Sequence, residues 1–139
     1  ILRPSILYGS DDTHNSYGPN RFFRTSLSAQ KITLFGNGEE KRDHVFIQDV
    51  CRLMARCLEH QSRGTYNIAT GCSVSFGEIA LKIQKLFEGK IKIEPTPRAN
   101  PITHRHYDIT RLIAAFPDFR FTPLEKGLAE TFKGIQRPS

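Results

Sequence analysis

Residues 34–50, LFGNGEEKRDHVFIQDV, determine how this chain is read. Leu34-Phe35 closes an apolar run, Gly36-Asn37-Gly38 is a strong turn, and Asp43-His44-Val45-Phe46-Ile47 has strand character. Val50, Leu53, Met54, Cys57 and Leu58 then recur at steps of three, one, three and one, the spacing of one helix face. A strand, a tight turn, a second strand and a helix in such quick succession predict an α/β fold, with short mixed strands and helices sharing a core.

Toward the amino terminus, Ile1 to Tyr8 reads as a buried strand closed by Gly9, with Pro4 near its end because proline lacks a ladder donor. Ser10 to Asn20 is almost wholly turn-forming, and Phe22, Phe23, Ser26 and Leu27 after it have helical spacing. Downstream, Gly64 is a break and Thr65 to Ala69 has strand propensity. Ser75-Phe76-Gly77-Glu78 matches a capping box, with Val74 and Ile79 placed as a hydrophobic staple, opening a helix with Phe76, Ile79, Ala80, Ile83, Leu86 and Phe87 inward. Ile91-Lys92-Ile93 alternates as a strand, and Pro95, Pro97 and Pro101 extend the chain behind it. Asp108 is placed to cap a short helix stopped at Phe116-Pro117. Thr122-Pro123-Leu124-Glu125 predicts an N-cap, a proline at the first helical position and a last helix burying Leu124, Leu128, Ala129, Phe132 and Ile135. Arg137-Pro138-Ser139 reads as a frayed tail.

The chain has 139 residues, 38% hydrophobic and 24% charged, which by length alone suggests one globular domain. Lys and Arg number 20 against 14 Asp and Glu, a net charge of +6 that favours an anionic partner. The charges are dispersed rather than blocked, which argues against nucleic acid as that partner. No apolar run approaches the length of a membrane span and no signal peptide opens the chain, so the expected setting is cytoplasmic, with no membrane partner. Cys51, Cys57 and Cys72 form no CxxC pair and are expected as small buried residues rather than a disulfide framework.

The densest polar signal is Arg42-Asp43 and Asp49 after the glycine turn. A guanidinium gives the best bidentate contact with phosphate oxygens, which makes Arg42 the first anion-binding candidate. The competing reading is an Arg42 ion pair with Asp43, Asp49 or another carboxylate. Asp49 is expected to cap or precede the helix at Val50. A second polar cluster runs from Arg98 to Asp108, where a proline-stiffened loop carries Arg98, Asn100, His104 and His106; surface loops also have this composition. His104 and His106 lack a third ligand at recognisable spacing, so no metal site is expected. There is no GxSxG elbow, P-loop, HExxH or GxGxxG, so no catalytic residue is assigned.

Leu2-Arg3-Pro4-Ser5-Ile6-Leu7-Tyr8-Gly9, Leu34 to Gly38, Arg42 to Val50 and Tyr66-Asn67-Ile68, taken together, resemble the carboxyl-terminal half of the extended short-chain dehydrogenase/reductases, the NAD-dependent nucleotide-sugar epimerase/dehydratase family. The resemblance implies residues 1–9 as a terminal strand region of the Rossmann sheet and 10–139 as a substrate-binding domain with returning Rossmann segments. It implies that the glycine-rich NAD(P) turn and the Tyr-x-x-x-Lys pair precede Ile1, so the 139 residues alone are expected to be inactive. Pro4, Ser5 and Leu7 would border the cofactor, NAD or NADP. Arg42 and Arg98 would hold the diphosphate of a nucleoside diphosphate sugar, with Asn67 near the nucleotide and Arg21 near the substrate. Homodimerisation of the parent protein is a further expectation from the resemblance. Two departures bear on the ligand: Ile6 stands where many members carry a substrate-contacting Asn, and Pro101 where the family has Asp. They favour the alternative, a non-catalytic nucleotide-binding or assembly module.

Overall fold

The computed structural model describes residues 1–136; Arg137, Pro138 and Ser139 lie outside the described residues. Seven strands and five helices alternate along the described residues. Strands β1 (Leu2–Pro4) and β2 (Ile6–Tyr8) lead to helix α1 (Pro19–Ala29), then β3 (Lys31–Phe35), β4 (Lys41–Phe46) and α2 (Ile47–Glu59). They are followed by β5 (Tyr66–Ile68), β6 (Ser73–Ser75), α3 (Phe76–Leu86), β7 (Lys92–Thr96), α4 (Thr110–Ala115) and α5 (Leu124–Ile135). The mixed α/β reading therefore holds. β1 runs parallel to β5, β3 parallel to β7, and β4 lies between parallel β2 and antiparallel β6.

Successive side chains of a strand point to opposite faces, and β2 and β4 use both. Tyr8 and Phe46 enter a cluster with Phe22, Phe23, Ile79, Ile83 and Leu128, built by α1, α3 and α5. Val45, with Leu7 packed beside it, enters a second cluster with Val50, Leu53, Ile68, Leu112 and Phe116, built by α2 and α4. Burial of each large side chain contributes about 1.5 to 3 kcal/mol. Strands covered on both faces show no strict polar alternation, which is why β4 lacks it.

Local chemistry sets the element boundaries. Ser75 caps α3 through the Glu78 amide while Glu78 accepts the Ser75 amide in return, so the capping box is present. Pro19 begins α1, and Gln30, in the left-handed region at φ 51°, ends it. In the turn between β3 and β4, Gly38 has φ 74°, and a Cβ there would come within 2.6 Å of the Gly77 amide nitrogen. Glycine is required on both counts.

Four sequence expectations are corrected. α2 begins at Ile47, so Asp49 lies inside its first turn instead of capping at Val50. Thr122 does not cap α5, because its amide and hydroxyl both donate to the Asp49 carboxylate, at 2.7 and 2.8 Å; Pro123 takes the N-cap position. Leu27, Met54 and Leu58 are exposed at 49, 49 and 78%, because each sits one residue round from the inward stripe of its helix. Cys51 and Cys72 are exposed rather than buried, on the outer face of α2 and in the turn before β6, and all three cysteines are free. Asp108 does accept the Thr110 amide at 2.9 Å at the start of α4. Among the described residues no helix is long and apolar enough to cross a membrane.

Candidate functional site

Phe35 at the end of β3, Glu40 and Arg42 at the start of β4, and the extended segment from Pro97 to Thr103 after β7 line a cleft of about 610 Å³. β3 and β7 are paired in parallel, so both carry their following segments to the same end of the pair. Arg42 enters from the start of β4 and Arg98 from just past β7, and both line the cleft. Arg42 donates to the Lys41 carbonyl at 2.9 Å, to the Thr103 carbonyl and to the Thr103 hydroxyl at 3.2 Å. Arg98 donates to the Phe35 carbonyl at 2.9 Å and to Glu39 at 3.2 Å. Main-chain carbonyls thus fix both guanidinium groups on short tethers.

Arg42 is also ion-paired with Glu40, so the carboxylate partner is neither Asp43 nor Asp49. Glu40 in turn accepts the Thr103 hydroxyl at 2.8 Å and lies 3.8 Å from the far nitrogen of Arg98. Burial raises the Glu40 pKa, but the Thr103 hydroxyl and Arg42 outweigh it and hold the carboxyl below its ordinary value. Glu40 and Thr103 carried no signal as site residues in the sequence. Tyr17 was legible in principle as the one aromatic in a polar loop. Its ring lies 4.7 Å from Phe35 and 4.6 Å from Phe76, and its hydroxyl accepts the Phe35 amide at 3.1 Å. Burial pushes its phenol pKa up, with Arg98 and Arg21 opposing. The cleft therefore pairs a charged rim with an aromatic and aliphatic wall that includes Ile6 and Pro101. A polyanion attached to a flat or apolar group suits such a surface.

The other sequence candidates fall elsewhere. Arg21 is exposed on the first turn of α1, with its charge reaching Tyr17 but outside the cleft lining. Asn67 lies on β5 and donates to the Asp108 carbonyl at 3.0 Å, which ties the strand to the start of α4 instead of facing the cleft. Pro4 is exposed at the end of β1, the Ser5 hydroxyl donates to Asp43, and Leu7 packs in the second cluster. No strand in this chain opens into a helix through a GxGxxG turn, the arrangement that cradles a pyrophosphate, so the residues present do not fit NAD as a complete site. Among the described residues no group of three or more His, Cys, Asp or Glu side chains is placed to hold a metal. The His104 ring nitrogen instead accepts the Lys41 amide at 3.2 Å.

Residues 1–69, from β1 through β5, match the family model described as the NAD dependent epimerase/dehydratase family. Over these residues, just under half of its length, the chain is similar to the NAD-dependent epimerase/dehydratase family. Solved structures match over nearly its whole length. An NAD-dependent NDP-hexosamine 5,6-dehydratase, TunA, involved in tunicamycin biosynthesis, is 21% identical at TM-score 0.85, with 100% of this chain and 46% of that one covered. UDP-N-acetylglucosamine 4-epimerase from Methanobrevibacter ruminantium M1, solved with UDP-N-acetylmuramic acid, is 23% identical at TM-score 0.82, covering 96% and 44%. UDP-glucose 4-epimerase from Thermus thermophilus, solved with NAD, is 23% identical at TM-score 0.78, covering 97% and 45%. This chain spans just under half the length of each, and at these identities the likeness carries the fold.

Proposed function

We propose that this chain forms the substrate-binding part of an NAD-dependent nucleotide-sugar epimerase/dehydratase, and that its cleft holds the diphosphate of a nucleoside diphosphate sugar between Arg42 and Arg98. The observation that carries this is the convergence of two arginines, from the segments that follow the paired strands β3 and β7, on one cleft with an aromatic wall. Two fixed forks suit the four or more outer oxygens of a diphosphate better than a single phosphate. Tyr17, Phe35 and Phe76 offer ring faces and edges to a nucleobase or sugar.

In this reading residues 1–9 end the Rossmann sheet and residues 10–139 form the substrate-binding domain with returning Rossmann segments, Ile6 joining the cleft from the first part. NAD, when bound, supplies the hydride acceptor for oxidising a sugar carbon. The part played by this chain is binding: diphosphate contacts far from the reacting carbon hold the hexose in place, and that energy appears as orientation. Pro4, Ser5 and Leu7 would form only the border of the cofactor, and the chain alone would turn over no sugar.

A second reading is favoured by Ile6 and Pro101, which line the cleft where neither side chain can hydrogen-bond a sugar hydroxyl. There the same cleft serves a nucleotide-binding module without turnover. Titrating the protein with UDP, dTDP, GDP, their hexose conjugates and free hexoses separates the readings. Tighter binding of a sugar conjugate than of its parent nucleotide supports a substrate site; equal binding supports the module; no binding of any diphosphate contradicts both.

A further inference from the structure

We propose that Glu40 is a built-in competitor for the anion this cleft takes, its carboxylate occupying guanidinium groups that a diphosphate would use and so setting the affinity of the site. The inference rests on the diphosphate reading of the cleft and adds a chain-specific control to it. Among the described residues, Glu40 is the one carboxylate paired with both arginines, directly with Arg42 and at 3.8 Å with Arg98. Glu39 adds a second negative charge on Arg98 at 3.2 Å. Two guanidinium and two carboxylate charges cancel, so an incoming anion meets a neutral cluster rather than a positive one.

A scaffolding role for Glu40 would explain the same pairing, but the arginines have other anchors. Arg42 is held by the Lys41 and Thr103 carbonyls, and Arg98 by the Phe35 carbonyl. The Lys41 and Phe35 carbonyl anchors are independent of Glu40, whereas Thr103 is itself held by it. The three side chains are also only 13, 18 and 19% exposed, in the order Arg42, Arg98 and Glu40. At that depth solvent screens the pairing less than it would on an open surface. A ligand with two adjacent anionic groups can replace the carboxylate on both arginines at once, whereas a single anionic group replaces it on one.

The test is Glu40→Gln, which keeps the shape and the acceptor for Thr103 and removes the charge. Binding of inorganic pyrophosphate and of UDP to the whole protein is read by calorimetry at two salt concentrations. The expected result is tighter pyrophosphate binding by about tenfold, with a steeper loss of affinity in salt. Unchanged or weaker binding by Glu40→Gln overturns the inference and makes Glu40 a scaffold. If the Gln variant fails to fold, Glu40→Ala, which removes the same charge, must show the same gain. Arg42→Ala and Arg98→Ala separate this outcome from the reading beneath it. If they lose pyrophosphate while Glu40→Gln gains nothing, only the Glu40 inference falls; if they bind as wild type does, or if no form binds pyrophosphate, the diphosphate reading falls with it.

Discussion

Glu39 and Glu40 lie a few residues from Asp43 and Asp49, yet the two pairs of carboxylates do different work. Asp43 and Asp49 are buried, at 0 and 1% exposure, and bind segments of the fold together. Asp43 accepts the Thr70 amide at 2.9 Å and hydroxyl at 3.0 Å and the Ser5 hydroxyl at 3.3 Å, joining β4 to the segments after β1 and β5. Asp49 accepts the Thr122 amide and hydroxyl and an Arg52 guanidinium, joining α2 to the start of α5. Glu40, in the cleft lining, and Glu39 beside it face guanidinium groups and solvent instead. It follows that the Arg-Asp pair in Lys41-Arg42-Asp43-His44 is not an ion pair at all. Strand alternation sends Arg42 to the cleft and Asp43 to the interior, and each finds a partner on its own side.

The division is most vulnerable at Asp43. Asp43→Ala strips the acceptor from the Thr70 amide and the Ser5 hydroxyl, leaving the Thr70 hydroxyl only the Cys72 carbonyl, and is expected to destabilise the protein by about 4 kcal/mol, read as a lower midpoint in urea. A small stability loss there would erase the contrast between interior and cleft. His44 probes it from the same strand. Its ring is 4% exposed, lies edge-on to Phe76 at 5.5 Å, and has no hydrogen-bond partner on either nitrogen. Burial lowers its pKa from 6.5 to about 4, with the Arg42 main chain opposing and the Arg42 charge adding. Because the folded value is below the unfolded one, the unfolded chain binds the proton first as pH falls. This contribution is complete above pH 6.5 and is lost as pH drops toward 4, by on the order of 3 kcal/mol. His44→Phe is expected to flatten urea midpoints across that window; an unchanged pH profile would mean that the ring is not held neutral by burial. The smallest effect falls on Thr122→Val, which removes one hydroxyl bond to Asp49 but keeps the amide bond. It is expected to cost about 1 kcal/mol in thermal or urea unfolding and to leave pyrophosphate affinity unchanged. Altered pyrophosphate affinity would show that the interior carboxylates and the cleft are coupled.

Elements driven by local chemistry were legible in the residues. The capping box at Ser75 and Glu78, the glycine turn before β4 and the alternation of strands with helices all follow from side chains close in sequence. Arg42 and Arg98 were legible as separate anion candidates, but their meeting depends on the β3 and β7 pairing, a long-range contact that no local pattern encodes. Glu40 stayed hidden for the same reason, since an acidic residue beside a basic one reads as a solvated surface until Thr103 and Arg98 arrive from far along the chain. Thr122 misled because its hydroxyl was free to cap a helix in sequence but was claimed by a buried carboxylate in space. Met54 and Leu58 fit the helical stripe by spacing yet lie exposed beside Ile1, where no described element covers them. Periodicity gives the face of a helix, but not how wide a strip its neighbours cover.

The cleft is most directly tested by the affinity of UDP for the protein with and without the Arg42 guanidinium, measured by calorimetry with thermal unfolding as the folding control. Arg42→Ala is expected to weaken UDP by roughly 1.5 to 3 kcal/mol, the scale of hydrogen bonds to a charged group, while the protein still unfolds cooperatively. UDP binding of unchanged strength to a folded Arg42→Ala protein would show that Arg42 serves Glu40 and Thr103 alone, and that the cleft does not hold a diphosphate.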